Sequence, residues 1–144
     1  MTGFEVSFSK TVSESDIYLF AGITGDFAPN HVDETFMSRT PYKRRIAHGA
    51  LIVGYMSAAS TRAIERGLAT ITDATPVSLG YDKVRFLKPV FIGDTITVTY
   101  KVTAVDEVRA RSEAAIEVHN QEGLLVAVAT HIMRWVKSTA HVDM

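Results

Sequence analysis

The chain has 144 residues, 47% hydrophobic and 22% charged, with a formal net charge of −1 and no cysteine. That length suits one domain with one sizeable core, and the composition belongs to a folded globular chain rather than a disordered one. Disulfide staples, a cysteine nucleophile and a thiolate metal site are excluded, and the near-neutral, mixed charge argues against a nucleic-acid partner.

The opening MTGFEVSFSK has no basic segment followed by a long apolar run, so no secretory leader is expected and the cytoplasm is the expected location. Phe4 to Phe8 alternates apolar and polar residues, which predicts a strand. Ser13 then suits a helix N-cap, with Glu14 and Asp16 favourably placed in the first turn. Ile17, Phe20, Ala21 and Ile23 mark the apolar face of this helix, and Gly22 and Gly25 weaken it and help end it before Asp26. Ala28-Pro29-Asn30 reads as a loop and Val32 to Arg39 as a short helix stopped by Pro41. Lys43-Arg44-Arg45 reads as an exposed basic cluster.

From His48 to Glu65 nearly every position is apolar or small. A helix with no polar stripe is central and enclosed by protein, and Gly67 suits its C-cap. The apolar run from Ile46 to Ala59 is interrupted by His48, Gly49, Gly54 and Ser57 and is too short to span a bilayer, so no membrane partner is expected.

The remainder alternates as strands do. Val84, Phe86 and Leu87 belong to a strand that Pro89 bends or ends. Gly93-Asp94 turns the chain into Thr95 to Val105, with Ile96, Val98, Tyr100 and Val102 on one face. Arg109 to His119 follows with Ala110, Ala114, Ile116 and Val118 inward, then a turn at Asn120 to Gly123 and a last strand from Leu124 to Val136. Residues 138–144 read as a frayed tail. Helices first and strands second predict one α+β domain over residues 1–144, a curved antiparallel sheet wrapped around the long helix. The open edges of such a sheet need cover, so a homodimer or higher homo-oligomer is expected.

Three features carry chemistry. Asp26 and His31 stand five residues apart across a proline-containing segment, a carboxylate and an imidazole able to share one water and one proton; burial against the apolar helix would raise the aspartate's affinity for a proton, and a nearby imidazolium would oppose that. The alternative is a capping aspartate and a surface histidine. Gly49 follows His48 at the start of the helix, where a backbone N–H lacks an intrahelical acceptor and can polarise a carbonyl; the alternative is a glycine kept for tight packing. Ser57 lies about two turns further on, placed to bond Asp26, to line a pocket, or to bond back to a carbonyl one turn earlier.

These residues fall in a longer pattern. Ile23-Thr24-Gly25-Asp26-Phe27-Ala28-Pro29-Asn30-His31-Val32-Asp33, then Arg45-Ile46-Ala47-His48-Gly49-Ala50-Leu51, then Phe86-Leu87-Lys88-Pro89-Val90 and Gly93-Asp94, resemble the MaoC-like, (R)-specific enoyl-CoA hydratase family over nearly the whole chain. The resemblance implies a hot-dog fold, usually dimeric, and reversible hydration of a trans-2-enoyl-CoA to an (R)-3-hydroxyacyl-CoA. It implies that Asp26 and His31 are the catalytic pair, that the Gly49 amide holds the thioester carbonyl, and that Ser57, Asn30 and His48 support them. It implies no metal and no redox cofactor; coenzyme A enters as part of the substrate. The family's usual Asp-x-Asn-Pro-x-His is altered here, with Ala28 where asparagine is expected and Asn30 where an aliphatic residue is usual. Lys43, Arg44, Arg45, Arg85 and Lys88 are the candidates for the coenzyme A phosphates, the alternative for each being a solvated surface residue; Tyr18, Phe27, Met37, Tyr55 and Met56 are candidates for the limits of the acyl pocket or simply for the core. Two other readings stay open, a hot-dog acyl-CoA thioesterase and a non-catalytic acyl-CoA-binding module.

Overall fold

In the computed structural model, which describes residues 2–68 and 74–137, the chain begins with strand β1, Glu5–Thr11. The expected tail at 138–144 lies outside the described residues. Ser13 caps helix α1, Glu14–Thr24, reciprocally: its hydroxyl accepts from the Asp16 N–H at 3.1 Å, and the Asp16 carboxylate accepts from the Ser13 N–H at 3.0 Å. Gly25 ends the helix in the left-handed region, at φ 85°, and its N–H donates to the Ala21 carbonyl at 2.8 Å.

The next segment departs from expectation. Ala28-Pro29-Asn30 is not a loop but opens the one-turn helix α2, Pro29–Val32, and the expected Val32–Arg39 helix shortens to α3, Glu34–Ser38. Pro29 suits the first helical position, where its fixed φ and missing N–H cost nothing. Asp33 breaks the two helices apart with an extended backbone, and its carboxylate caps α3 by accepting from the Phe36 N–H at 2.9 Å.

Helix α4, Gly49–Ala63, continues into a π-helical turn at Ile64–Leu68, where Gly67 takes φ 118°. Its buried side is Ile52, Tyr55, Met56, Ala59 and Ala63. The expected enclosure is incomplete in the single chain: Ala50, Gly54, Ser57 and Thr61 are exposed. The sheet wraps only one side of the helix.

Strands β2 (Ala74–Phe86), β3 (Thr95–Asp106), β4 (Arg111–His119) and β5 (Leu125–Lys137) complete the fold. With β1 they form one antiparallel sheet in the order β1-β3-β4-β5-β2. Ile96, Val98, Tyr100 and Val102 point inward from β3, and Ala114, Ile116 and Val118 from β4, all buried as the alternation requires. Ala110, expected inward on β4, lies before the strand in a turn at φ 53°. Each fully buried large apolar side chain contributes roughly 1.5–3 kcal/mol, and α4 packs on β1 and β3. The outer strand β2 keeps Val77 and Leu79 exposed on an edge without a partner in the single chain.

One buried polar cluster interrupts this core. His131 on β5, 1% exposed, is hydrogen-bonded through Nδ1 to the Tyr100 hydroxyl at 2.7 Å and through Nε2 to Ser78 Oγ at 2.8 Å, and its ring stacks on Tyr81. Burial pushes the His131 imidazole down to about 4 and raises the Tyr100 phenol above its ordinary range. No helix among the described residues is long and apolar enough to cross a membrane.

Candidate active site

The end of α1, the short α2 and the start of α4 meet at one place. His31, on α2 and largely buried, donates from Nδ1 to the Ile46 carbonyl at 2.8 Å. A carbonyl only accepts, so this bond fixes the proton on Nδ1 and leaves Nε2 with its lone pair in the neutral ring. His48, the N-terminal neighbour of α4, donates from Nε2 to the Asp26 carbonyl at 3.0 Å. The two imidazoles stack with centroids 3.8 Å apart and planes 25° apart, and Phe20 tilts against His48 at 4.7 Å. His48 Nδ1 is buried with no hydrogen-bond partner among the described residues. One carboxylate oxygen of Asp26 and one ring nitrogen each of His31 and His48 lie within 4.8 Å of one another. A carboxylate and two imidazole nitrogens at this spacing could hold a metal ion or share a water for proton transfer.

Asp26 itself is exposed, so burial does not act on its carboxylate. Its carboxylate accepts from the Ala28 N–H at 3.3 Å, and its own N–H donates to Thr24 Oγ1 at 3.2 Å. Ala28 is the N-cap residue of α2 and supplies no side-chain cap, which an asparagine would do.

A cleft of about 470 Å³ opens beside these groups, lined by Asn30, His31, Gly49, Ala50, Phe86 and Lys88 among others. His31 and Gly49 therefore face the same space. Asn30 also fastens the site through its backbone, accepting from the Ile46 N–H at 3.0 Å. The Phe86 ring occupies the position that a side chain at 49 would need: a Cβ there would stand 2.6 Å from two of its ring carbons. Glycine at 49 thus serves packing and leaves its first-turn amide open at once. Phe86 was visible in the sequence as a strand residue and as part of the family-like segment at 86–90, with nothing to place it at Gly49, and the Ile46 carbonyl has no residue-type signature at all.

The other candidates separate. Ser57 is exposed and makes no bond to Asp26; its hydroxyl stands by Tyr81, whose phenol burial raises and the Ser57 and Ser78 hydroxyls draw back. The one-turn back-bond expected at Ser57 is made instead by Ser60, to the Ser57 carbonyl at 2.7 Å. Met37, Tyr55 and Met56 are core, Tyr18 bonds Arg45, and Phe27 is exposed, so none of the five expected pocket-limiting residues lines the cleft. Tyr42, Ile52, Phe86 and Leu87 take that place.

Among the basic candidates, Lys88 lines both this cleft and a neighbouring groove of about 250 Å³ that it shares with Arg44. Arg44 lies 3.8 Å over the Phe91 ring, a cation–π contact that orients the guanidinium at the rim. Lys43 is exposed, and Arg85 is exposed and turned back onto the Val84 carbonyl at 2.8 Å. Arg45 is not part of an exposed basic cluster: its side chain is 10% exposed and bonded to Glu14 and Glu34.

Known proteins are similar to this chain in sequence and in fold. The chain is 42% identical over 104 residues to an (R)-specific enoyl-CoA hydratase of Rhodospirillum rubrum, covering 72% of this chain and 66% of that one. It is 37% identical over 107 residues to a 3-hydroxybutyryl-CoA dehydratase of Methylorubrum extorquens, covering 74% and 62%. The match thus spans just under two thirds of these relatives' own length. The solved structure of an (R)-hydratase from A. caviae involved in PHA biosynthesis superposes with a TM-score of 0.79 at 25% identity, over 93% of this chain and 96% of that one. The α+β architecture is the hot-dog fold of these neighbours. Since the MaoC like domain matches residues 2–123, most of the sequence, the chain belongs to the MaoC-like family.

Proposed function

We propose that this protein is a hydratase/dehydratase that adds water reversibly across the 2,3 double bond of an enoyl-CoA to give an (R)-3-hydroxyacyl-CoA. The observation that carries the reading is the shared cleft: His31, with a free Nε2, and the unbonded first-turn amide of Gly49 face one space. The named activities of the similar hydratase and dehydratase support it.

In the hydration direction, the Gly49 N–H and the start of α4 hold the thioester oxygen, where negative charge develops. Asp26 accepts a hydrogen bond from one O–H of a water, which that oxygen keeps, and His31 Nε2 takes the other proton as the water oxygen bonds to C3. The electron pair of the double bond moves to C2 and the thioester oxygen. The imidazolium then returns its proton to C2 on the same face, which restores His31 and the carbonyl. Dehydration reverses these steps. The chemistry draws on no metal or redox cofactor; coenzyme A arrives with the substrate, and Arg44 and Lys88 at the cleft rim are placed for its phosphates. His48 supports both groups by holding the Asp26 backbone and backing the His31 ring.

Two copies complete the assembly. The bare edge of β2, the open stripe on α4 and the exposed Leu19, Ile23 and Phe27 beside Asp26 are apolar surface that a homodimer covers.

Crotonyl-CoA should lose the absorbance of its conjugated double bond and yield the (R)-3-hydroxy product. Release of free thiol instead would make the protein a thioesterase, and tight binding without turnover across chain lengths a binding module. Gly49 has its own test. Gly49→Ala keeps the N–H, but its Cβ meets the Phe86 ring and should push the amide off the thioester oxygen, lowering turnover toward the scale of losing one oxyanion donor, about 10²–10³-fold. Adding Phe86→Ala relieves that conflict and should restore turnover in part; full turnover in Gly49→Ala alone would remove its amide from the mechanism.

A further inference from the structure

We propose that Arg45 is a positioning residue for His31, acting through the Ile46 carbonyl, rather than a ligand for coenzyme A; this rests on the reading of His31 as the proton-transfer base. The guanidinium is used on three sides. Nε donates to Glu34 Oε2 at 2.8 Å, Nη2 to Glu14 Oε1 at 2.5 Å and Nη1 to the Tyr18 hydroxyl at 2.9 Å. Glu14 and Tyr18 belong to α1 and Glu34 to α3, the two helices that flank the segment carrying Asp26 and His31. Arg45 thus ties together the two ends of the catalytic segment. A lysine, with one point charge, cannot reproduce that fork.

The chain becomes fixed at this residue. Before it, Lys43 sits in the left-handed region at φ 67°, and Lys43 and Arg44 are exposed. After it, the Ile46 N–H donates to the Asn30 carbonyl at 3.0 Å and the Ala47 N–H to the Val90 carbonyl at 2.7 Å. Ile46 is held between α2 on one side and the β2–β3 connection on the other, where it also bridges Phe91, so its carbonyl has one direction, toward His31 Nδ1. That direction decides which nitrogen of His31 carries the proton. Glu14 and Glu34 are themselves more than half exposed, so the network contributes little to stability and its loss falls on geometry.

Arg45→Gln in the full-length chain, assayed on crotonyl-CoA, should lower kcat between about tenfold and 10²-fold, the scale of a small displacement of a reacting group, with KM nearly unchanged. Imidazole ¹⁵N spectra should show neutral His31 moving from a single Nδ1–H tautomer to a mixture. Arg45→Lys should recover only part of either readout. A raised KM with kcat and tautomer intact would overturn the proposal in favour of a phosphate contact, and so would no change in either. Glu34→Gln removes one arm only and serves the same readouts if Arg45→Gln does not fold. If His31→Ala retains full turnover, the reading of the site fails; the tautomer spectra still decide whether Arg45 sets the ring.

Discussion

Asp26→Asn is expected to lower kcat for crotonyl-CoA hydration by about 10²–10⁴-fold, the span of a general acid–base group, while changing stability by less than about 0.5 kcal/mol, as surface substitutions do. The structure separates the two effects well. Asparagine keeps the oxygen that accepts from the Ala28 N–H, and the His48 bond goes to the Asp26 backbone carbonyl, which the substitution leaves in place. Only the charge and its full capacity to accept from water are lost. The check is steady-state kinetics beside urea unfolding of both proteins. A variant as active as the parent would remove Asp26 from the mechanism and leave His31 as the one proton-transfer group.

The second large effect is an acid weakness in the core. The His131 imidazole is held neutral in the fold, down to about 4, by burial between β5, β3 and β2. In the unfolded chain it titrates near its ordinary value of about 6.5. The unfolded state therefore takes up a proton over a window in which the folded state does not. Stability from this group is complete above about pH 6.5 and is lost as pH falls toward 4, in total about 3 kcal/mol. Urea midpoints measured across that window should fall steeply. In His131→Phe the slope should flatten, although the variant is less stable near neutrality by about 1–3 kcal/mol because the Tyr100 hydroxyl loses its partner. An identical pH slope in the two proteins would place the acid sensitivity elsewhere.

The elements that obey one period were legible in the sequence. Ile96, Val98, Tyr100 and Val102 alternate without interruption, and Ser13 with Asp16 writes a cap into four residues. Strand β2 was seen only at its end, because register shifts at Ser78/Gly80 and Asp82/Arg85 break the alternation. The helix expected to run from Val32 was misread because Asp33 closes one helix and caps the next. In the site, the spacing of Asp26 and His31 and the position of Gly49 were readable. Arg45 was not: it follows Lys43 and Arg44, which are exposed, while its partners lie 31 and 11 positions away. Gly49 and Phe86 meet only through the fold.

The strand order carries a consequence for how the molecule is made. Ser9 on β1 and Thr97 on β3, bonded through their hydroxyls at 2.8 Å, are 88 positions apart in the chain. The first strand to leave the ribosome thus has no partner until the helices and β2 have been synthesised, and β2 in turn waits for β5, the last strand. Closing such long loops precedes any gain from pairing, which places this sheet among the slow-forming topologies. Until β3 is made the apolar face of α4 has no sheet to lie on, so the interval between the synthesis of α4 and that of β3 is when the nascent chain is most open to aggregation.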